Sequence, residues 1–334
     1  MKIVLRSPFD AHLHLRDGEL LTRAAALASR QFAGAIAMPN LAPPLTTPEM
    51  CADYKSRVES LAAEPFAAFP ALFLTDKTPL SPPDFNVFKP LAVKLYPAAA
   101  TTNSENGVNI GAENLARFGD FFEMCAANGV ALSIHGETNG AALEREAEFA
   151  PIYAALARAH PNLKVIMEHI STRVLADLLD RHANLYATIT LHHLLYTIDD
   201  LIGGALKPHL FCKPVVKTAA DRAALRELAF AAREKVMFGS DSAPHLRSAK
   251  EGSRCAAGIF SAPVLLPKLA ELFAENAAIS KLQKFVGDNA RKIYDFRLPD
   301  REITLIDEPF TAPNEIAGIV PMCAEENIAF SIMK

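Results

Sequence analysis

Two histidines one residue apart, His12 and His14, stand at the end of the chain's first apolar run. In an extended strand residues i and i+2 point to the same face. Both imidazoles would then face one cavity and could share a zinc ion, with Zn–N of about 2.0–2.1 Å. Alone, the pair reads equally well as two satisfied core histidines. His135 and His169 close later apolar runs and Asp241 closes another, which turns the reading to a metal site. Asp241 also suits a helix N-cap. The adjacent Ser242 is as good a cap, leaving Asp241 free to ligate a metal and carry a proton. Lys94 sits in the apolar stretch 91–97. A buried ammonium is costly, and desolvation lowers its pKa. Either it pairs with an interior carboxylate, or the neutral amine adds carbon dioxide. The resulting carbamate is a carboxylate on a long arm that could bridge two cations. Arg16, Asn40 and His245 form a second group. The planar fork of Arg16 suits a carboxylate, and the other two could support it. Together they suggest an anionic substrate.

These residues need elements to hold them. Short runs rich in Val, Ile, Leu and Phe predict a first strand within 3–15 and others at 34–39, 66–74, 91–96, 130–135, 164–169, 185–190 and 236–240. Helical periodicity fills 19–30, 48–62, 112–127, 143–159, 172–181 and 219–233. Pro48 opens its helix and Asn128-Gly129 closes another, the expected asymmetry. Eight strands alternating with helices predict an α/β chain folded as a (β/α)8 TIM barrel. In that fold the active site lies at the C-terminal strand ends, where all these polar residues fall. An open doubly wound sheet is the alternative, but no G-x-G-x-x-G follows the first strand. The expected organisation is one domain over 1–334, with the barrel at 1–298 and a C-terminal extension at 299–334 packing on its outside or bottom.

The chain has 334 residues, 50% of them hydrophobic, enough for one large core. A net charge of -4 without a basic patch argues against nucleic acid as a partner. No apolar run reaches the ~18 residues of a membrane helix, and no signal peptide is expected. The five cysteines are scattered, with no C-x-x-C. They predict free thiols and a soluble, cytoplasmic protein.

The segments D-A-H-L-H-L-R-D-G (10–18), M-P-N-L-A-P-P (38–44), K-L-Y-P-A-A-A-T-T-N (94–103), I-H-G-E (134–137), E-H-I (168–170), P-H-L-F-C-K-P (208–214) and G-S-D-S-A-P-H (239–245) resemble the dihydroorotases. The likeness is to the short, single-domain bacterial class of the amidohydrolase superfamily and runs over about residues 3–298. It implies two zinc ions. His12, His14 and Asp241 would hold one, and His135 and His169 the other. N6-carboxylysine at Lys94 and a hydroxide would bridge them. Asp241 would be the catalytic acid and base. Arg16, Asn40 and His245 would bind the substrate, with backbone near Lys213 and Ala257. Thr101 and Thr102 would tip a lid that closes over it. The substrate would be a small molecule, dihydroorotate or N-carbamoyl-aspartate, and the family suggests a homodimer. A hydantoinase or allantoinase would keep the metals and change the pocket; Arg16 with Asn40 argues against one. A non-catalytic dihydroorotase-like partner should have lost metal ligands, yet all six positions are filled.

Overall fold

The computed structural model describes residues 1–78, 85–109 and 115–333. The expected helix at 112–127 therefore lies partly outside the described residues; its described part is Gly119–Ala127. β1 spans Lys2–Arg6, β2 Phe9–Leu13, β3 Gly34–Ala37, β4 Ala67–Pro70, β5 Leu72–Leu74, β6 Ala92–Leu95, β7 Ala131–Ile134, β8 Val165–Met167, β9 Leu185–Ile189 and β10 Val236–Phe238. Two parallel sheets, β2-β3-β4 and β10-β9-β8-β7-β6-β5, make up the barrel. The third strand position is shared: β4 pairs with β3, Ala71 interrupts, and β5 pairs with β6. The barrel closes at its C-terminal rim, where Leu13 bridges Ser242 and the Asp241 N–H donates to His12 O at 2.8 Å. Gly239 permits this closure, since a Cβ there would lie 2.8 Å from His12 Cβ.

Period two decides what points inward. Ala92, Ala131, Ile166 and Met237 belong to the interior cluster, while Val93, Leu132, Val165 and Phe238 pack outward against helices. Two residues on from the first three, on the same face, come Lys94, Ser133 and Glu168. Tyr186 packs against the interior cluster and Thr188 follows it. β6, β7 and β8 thus begin apolar and end polar on their inner faces. β2 departs from this pattern. Phe9 and Ala11 are interior, and strict alternation would send His12 outward. The register with β3 shifts between Asp10 and Leu13, and this bulge restores His12 and His14 to the inside.

The range 3–15, expected to contain the first strand, has a more divided structure. It is two strands separated by Ser7, which has φ 41, and Pro8. β1 leaves the barrel and pairs antiparallel with β11 (Glu302–Ile306), which pairs with the short strand Ser331–Ile332. The extension therefore forms a sheet with the N-terminus. It also reaches the other end of the barrel, where Arg247 N donates to Gly318 O at 2.7 Å and Met322 N to Phe260 O at 2.7 Å. Helices at 48–60 and 219–230 begin at Thr47 and Thr218, whose hydroxyls cap them. The helix Leu265–Glu275 was not expected; it packs on the barrel after β10.

Candidate metal centre and active site

All six expected metal ligands converge at the C-terminal rim. His12 Nε2 and His14 Nε2 lie 3.5 and 3.0 Å from Asp241 Oδ1. Across the mouth, His135 Nδ1 lies 3.2 Å from His169 Nε2. Each group has a carboxylate behind it. Glu168 Oε2 sits 2.8 Å from His12 Nδ1, and Glu137 Oε2 sits 2.8 Å from His135 Nε2. A carboxylate accepts, so it fixes the N–H on the far nitrogen and leaves the near lone pair facing the cavity. The His135 Nδ1 lone pair fixed in this way lies 3.2 Å from His169 Nε2, a spacing that suits a shared cation. His12 Nε2, His169 Nδ1 and Lys94 Nζ are buried without a hydrogen-bond partner. Unpaired buried polar atoms are expensive, and together these donors fit a metal centre.

Lys94 is fully buried on β6, and burial lowers its pKa to about 8. The alternative of a direct carboxylate pair is not realised, although Glu168 and Asp241 are near enough to oppose the shift. Burial would raise Glu168, but Lys94 and then His12 hold it down at about 2. Glu168 also accepts from Thr188 Oγ1 at 2.6 Å and from Ser133 Oγ. Burial raises the Asp241 carboxyl above its ordinary range, which His12 partly offsets. Asp241 caps no helix: the next one begins at Arg247, and Ser242 Oγ instead accepts the Ser261 and Ala262 N–H groups. Arg16, His169 and Asp241 all adopt left-handed backbone, with φ of 61, 39 and 45. Strain of this kind gathers at functional sites.

A small cavity opens over the cluster. His12, His14, His135, His169 and Asp241 form its floor, and Arg16, Asn40, Thr101, Thr102, Lys213 and Ala257 its walls. Lys94 and His245 do not reach its surface. His245 stands behind Arg16, with Nε2 3.1 Å from Arg16 Nη2 and 3.0 Å from Ala257 O. Burial, then Arg16 and Lys250, push its pKa down to about 3, so it is neutral. The Thr101–Thr102 turn lies across the mouth: Asn40 Nδ2 donates to Thr102 O at 2.9 Å and Lys213 Nζ to Ala100 O at 2.6 Å.

Sequence reasoning gave no role to Glu168 or Glu137. The signal was present, since each acid stands beside or two residues from a ligand histidine on an otherwise apolar strand end. A second cluster, His192, His193 and Cys212, is also compact and buried. His193 Nε2 lies 3.0 Å and Cys212 Sγ 3.2 Å from Pro214 O, while both His192 ring nitrogens are buried without a hydrogen-bond partner.

Comparison with known proteins follows this geometry. Residues 105–296 match the family described as Amidohydrolase. The chain is 42% identical to a dihydroorotase of Helicobacter hepaticus, over 98% of this chain and 97% of that one. A crystal structure of a dihydroorotase from Campylobacter jejuni superposes with a TM-score of 0.91 at 44% identity, covering 100% of this chain and 98% of that one. A dihydroorotase from Saccharomyces cerevisiae, solved with 5-fluoroorotic acid, gives 0.91 at 28% identity, covering 99% and 98%.

Proposed function

The chain belongs to the dihydroorotases of the amidohydrolase family, and on that premise we propose which residues hold its metals, proton and substrate. The reaction is the reversible cyclisation of N-carbamoyl-L-aspartate to L-dihydroorotate and water, the third step of de novo pyrimidine biosynthesis. His12, His14 and Asp241 would hold one zinc ion and His135 and His169 a second, with Lys94 as N6-carboxylysine completing the ligand set. When bound, the two ions polarise the ring amide carbonyl and bring the pKa of a shared water toward neutrality. Asp241 takes the proton from the attacking water and returns it to the leaving ring nitrogen, base then acid. In the biosynthetic direction the same carboxyl moves the proton the other way. Arg16 grips the ring carboxylate with its fork. Neutral His245 braces Arg16 without competing for charge, and Asn40 holds both substrate and lid. The Thr101–Thr102 turn excludes water, with backbone near Lys213 and Ala257 completing the pocket.

The observation that carries this reading is the pair of facing ring nitrogens, 3.2 Å apart, with Lys94 Nζ buried and unpartnered on the same rim. Metal analysis with a dihydroorotate hydrolysis assay tests it. The parent should hold two zinc ions per chain. Lys94→Met should hold at most one and lose turnover; two ions and parental turnover in Lys94→Met would end the reading. The same proposal has the enzyme acting in the cytoplasm as a homodimer. Five unpaired cysteines fit a reducing compartment, and no described helix is long and apolar enough to cross a membrane. Sedimentation of the purified protein as a monomer would remove the dimer.

A further inference from the structure

Lys250 ends the short helix Arg247–Lys250 and is 3% exposed. Its Nζ donates to Phe211 O at 2.8 Å, Ala256 O at 2.9 Å and Gly258 O at 2.8 Å. An ammonium has three N–H donors and no acceptor, so three carbonyls saturate it. None of these partners is a carboxylate, and the charge remains uncancelled beside them. Burying an uncompensated cation is costly, so the site must draw something from it.

What those carbonyls flank supplies the reason. Phe211 stands two residues before Lys213, and Ala256 and Gly258 enclose Ala257. The Gly258 N–H donates to Phe211 O at 2.9 Å, joining the two segments directly. With the carbonyls of 256 and 258 turned to Lys250, the one between them is left to the other side. Ala257 O lies 3.0 Å from His245 Nε2, and Ala257 lines the cavity. There is no slack in this turn: Gly258 has φ 143, and a Cβ there would meet Ala243 Cβ at 2.8 Å and His245 Nε2 at 2.9 Å.

We infer that Lys250 is a positioning residue for substrate binding: its ammonium ties residues 211–213 and 256–258 into one wall and sets the Ala257 peptide against the substrate. Its charge adds to that of Arg16 on the side of the cavity that receives an anion. The inference rests on the proposed substrate pocket. Lys250 touches neither a metal ligand nor the reacting atoms, so its loss should change binding and spare chemistry.

The test is Lys250→Met, which keeps the stem and removes the donors, read by 5-fluoroorotate binding in a calorimeter and by dihydroorotate kinetics. Loss of hydrogen bonds to a charged group predicts weaker 5-fluoroorotate binding and a higher KM, each by about tenfold or more. The kcat and zinc content should stay at parental values, a split that a general loss of structure would not produce. Parental affinity and KM, or a fall confined to kcat, overturns the inference. Lys250→Gln retains two donors and should fall between the two; if Lys250→Met does not fold, parental affinity in Lys250→Gln overturns it instead. Arg16→Met separates this from the reading beneath it. If Arg16→Met also binds 5-fluoroorotate as the parent does, the pocket assignment has failed and the inference falls with it.

Discussion

The two ends of the barrel interior are built on opposite rules. At the N-terminal end Phe9, Phe69 and Phe296 interlock, with ring centroids 4.4 Å apart for Phe9–Phe296 and 5.1 Å for Phe69–Phe296. Ala290 and Ile293, from the chain beyond the barrel, complete the plug. At the C-terminal end, Asp10 Oδ2, His12 Nε2, Asn40 Oδ1, Lys94 Nζ and His169 Nδ1 are buried without a partner. The lower end gains from burial and dispersion. The upper end gives up stability to hold lone pairs ready. The Tyr294 hydroxyl is an exception, an unpartnered polar atom in the plug, and the packing offers no account of it. The lesson is that one strand serves both purposes, stability at its start and chemistry at its end.

That division can be broken by substitution. Asp241→Asn should cut dihydroorotate turnover by on the order of 10⁴ while leaving the thermal midpoint at or above the parent's. A drop in midpoint with turnover retained would reverse the assignment of the two ends. Phe9→Ala should do the opposite. Denaturant titration should show a loss of about 3–5 kcal/mol, with kcat/KM of the folded enzyme unchanged. Arg16→Met removes charge-assisted bonds worth about 1.5–3 kcal/mol. KM should rise by roughly ten- to a hundredfold with kcat nearly constant, and an unchanged KM would take Arg16 out of the pocket. Glu168→Gln keeps the shape and weakens the acceptor behind His12. Metal affinity, followed by competition with a chelator, should fall about 10- to 100-fold; parental affinity would show that His12 needs no carboxylate behind it.

Much of this was legible in residue order. Alternation of apolar runs with helical stretches sufficed for the barrel, because buried parallel strands and their helices have distinct periods. Polar residues closing those runs marked His12, His14, Lys94, His135, His169 and Asp241 as candidates, and they meet because parallel barrel strands end at one rim. Other features depended on distant chain. The split of 3–15 follows from β11, some three hundred residues away in sequence, offering β1 a partner outside the barrel. Glu168 gained its role when the bulge turned His12 Nδ1 toward it.

The sequence by itself determined the fold class, the end of the barrel where polar groups gather and the types of those groups, because strand period and residue chemistry are local properties. Only the tertiary structure decided that His12 faces inward despite the parity of Phe9 and Ala11, that Lys94 has no carboxylate bonded to it, and that Lys250 draws two loops together. Each of these depends on which backbone or side chain approaches through space, and closure of the barrel alone sets that.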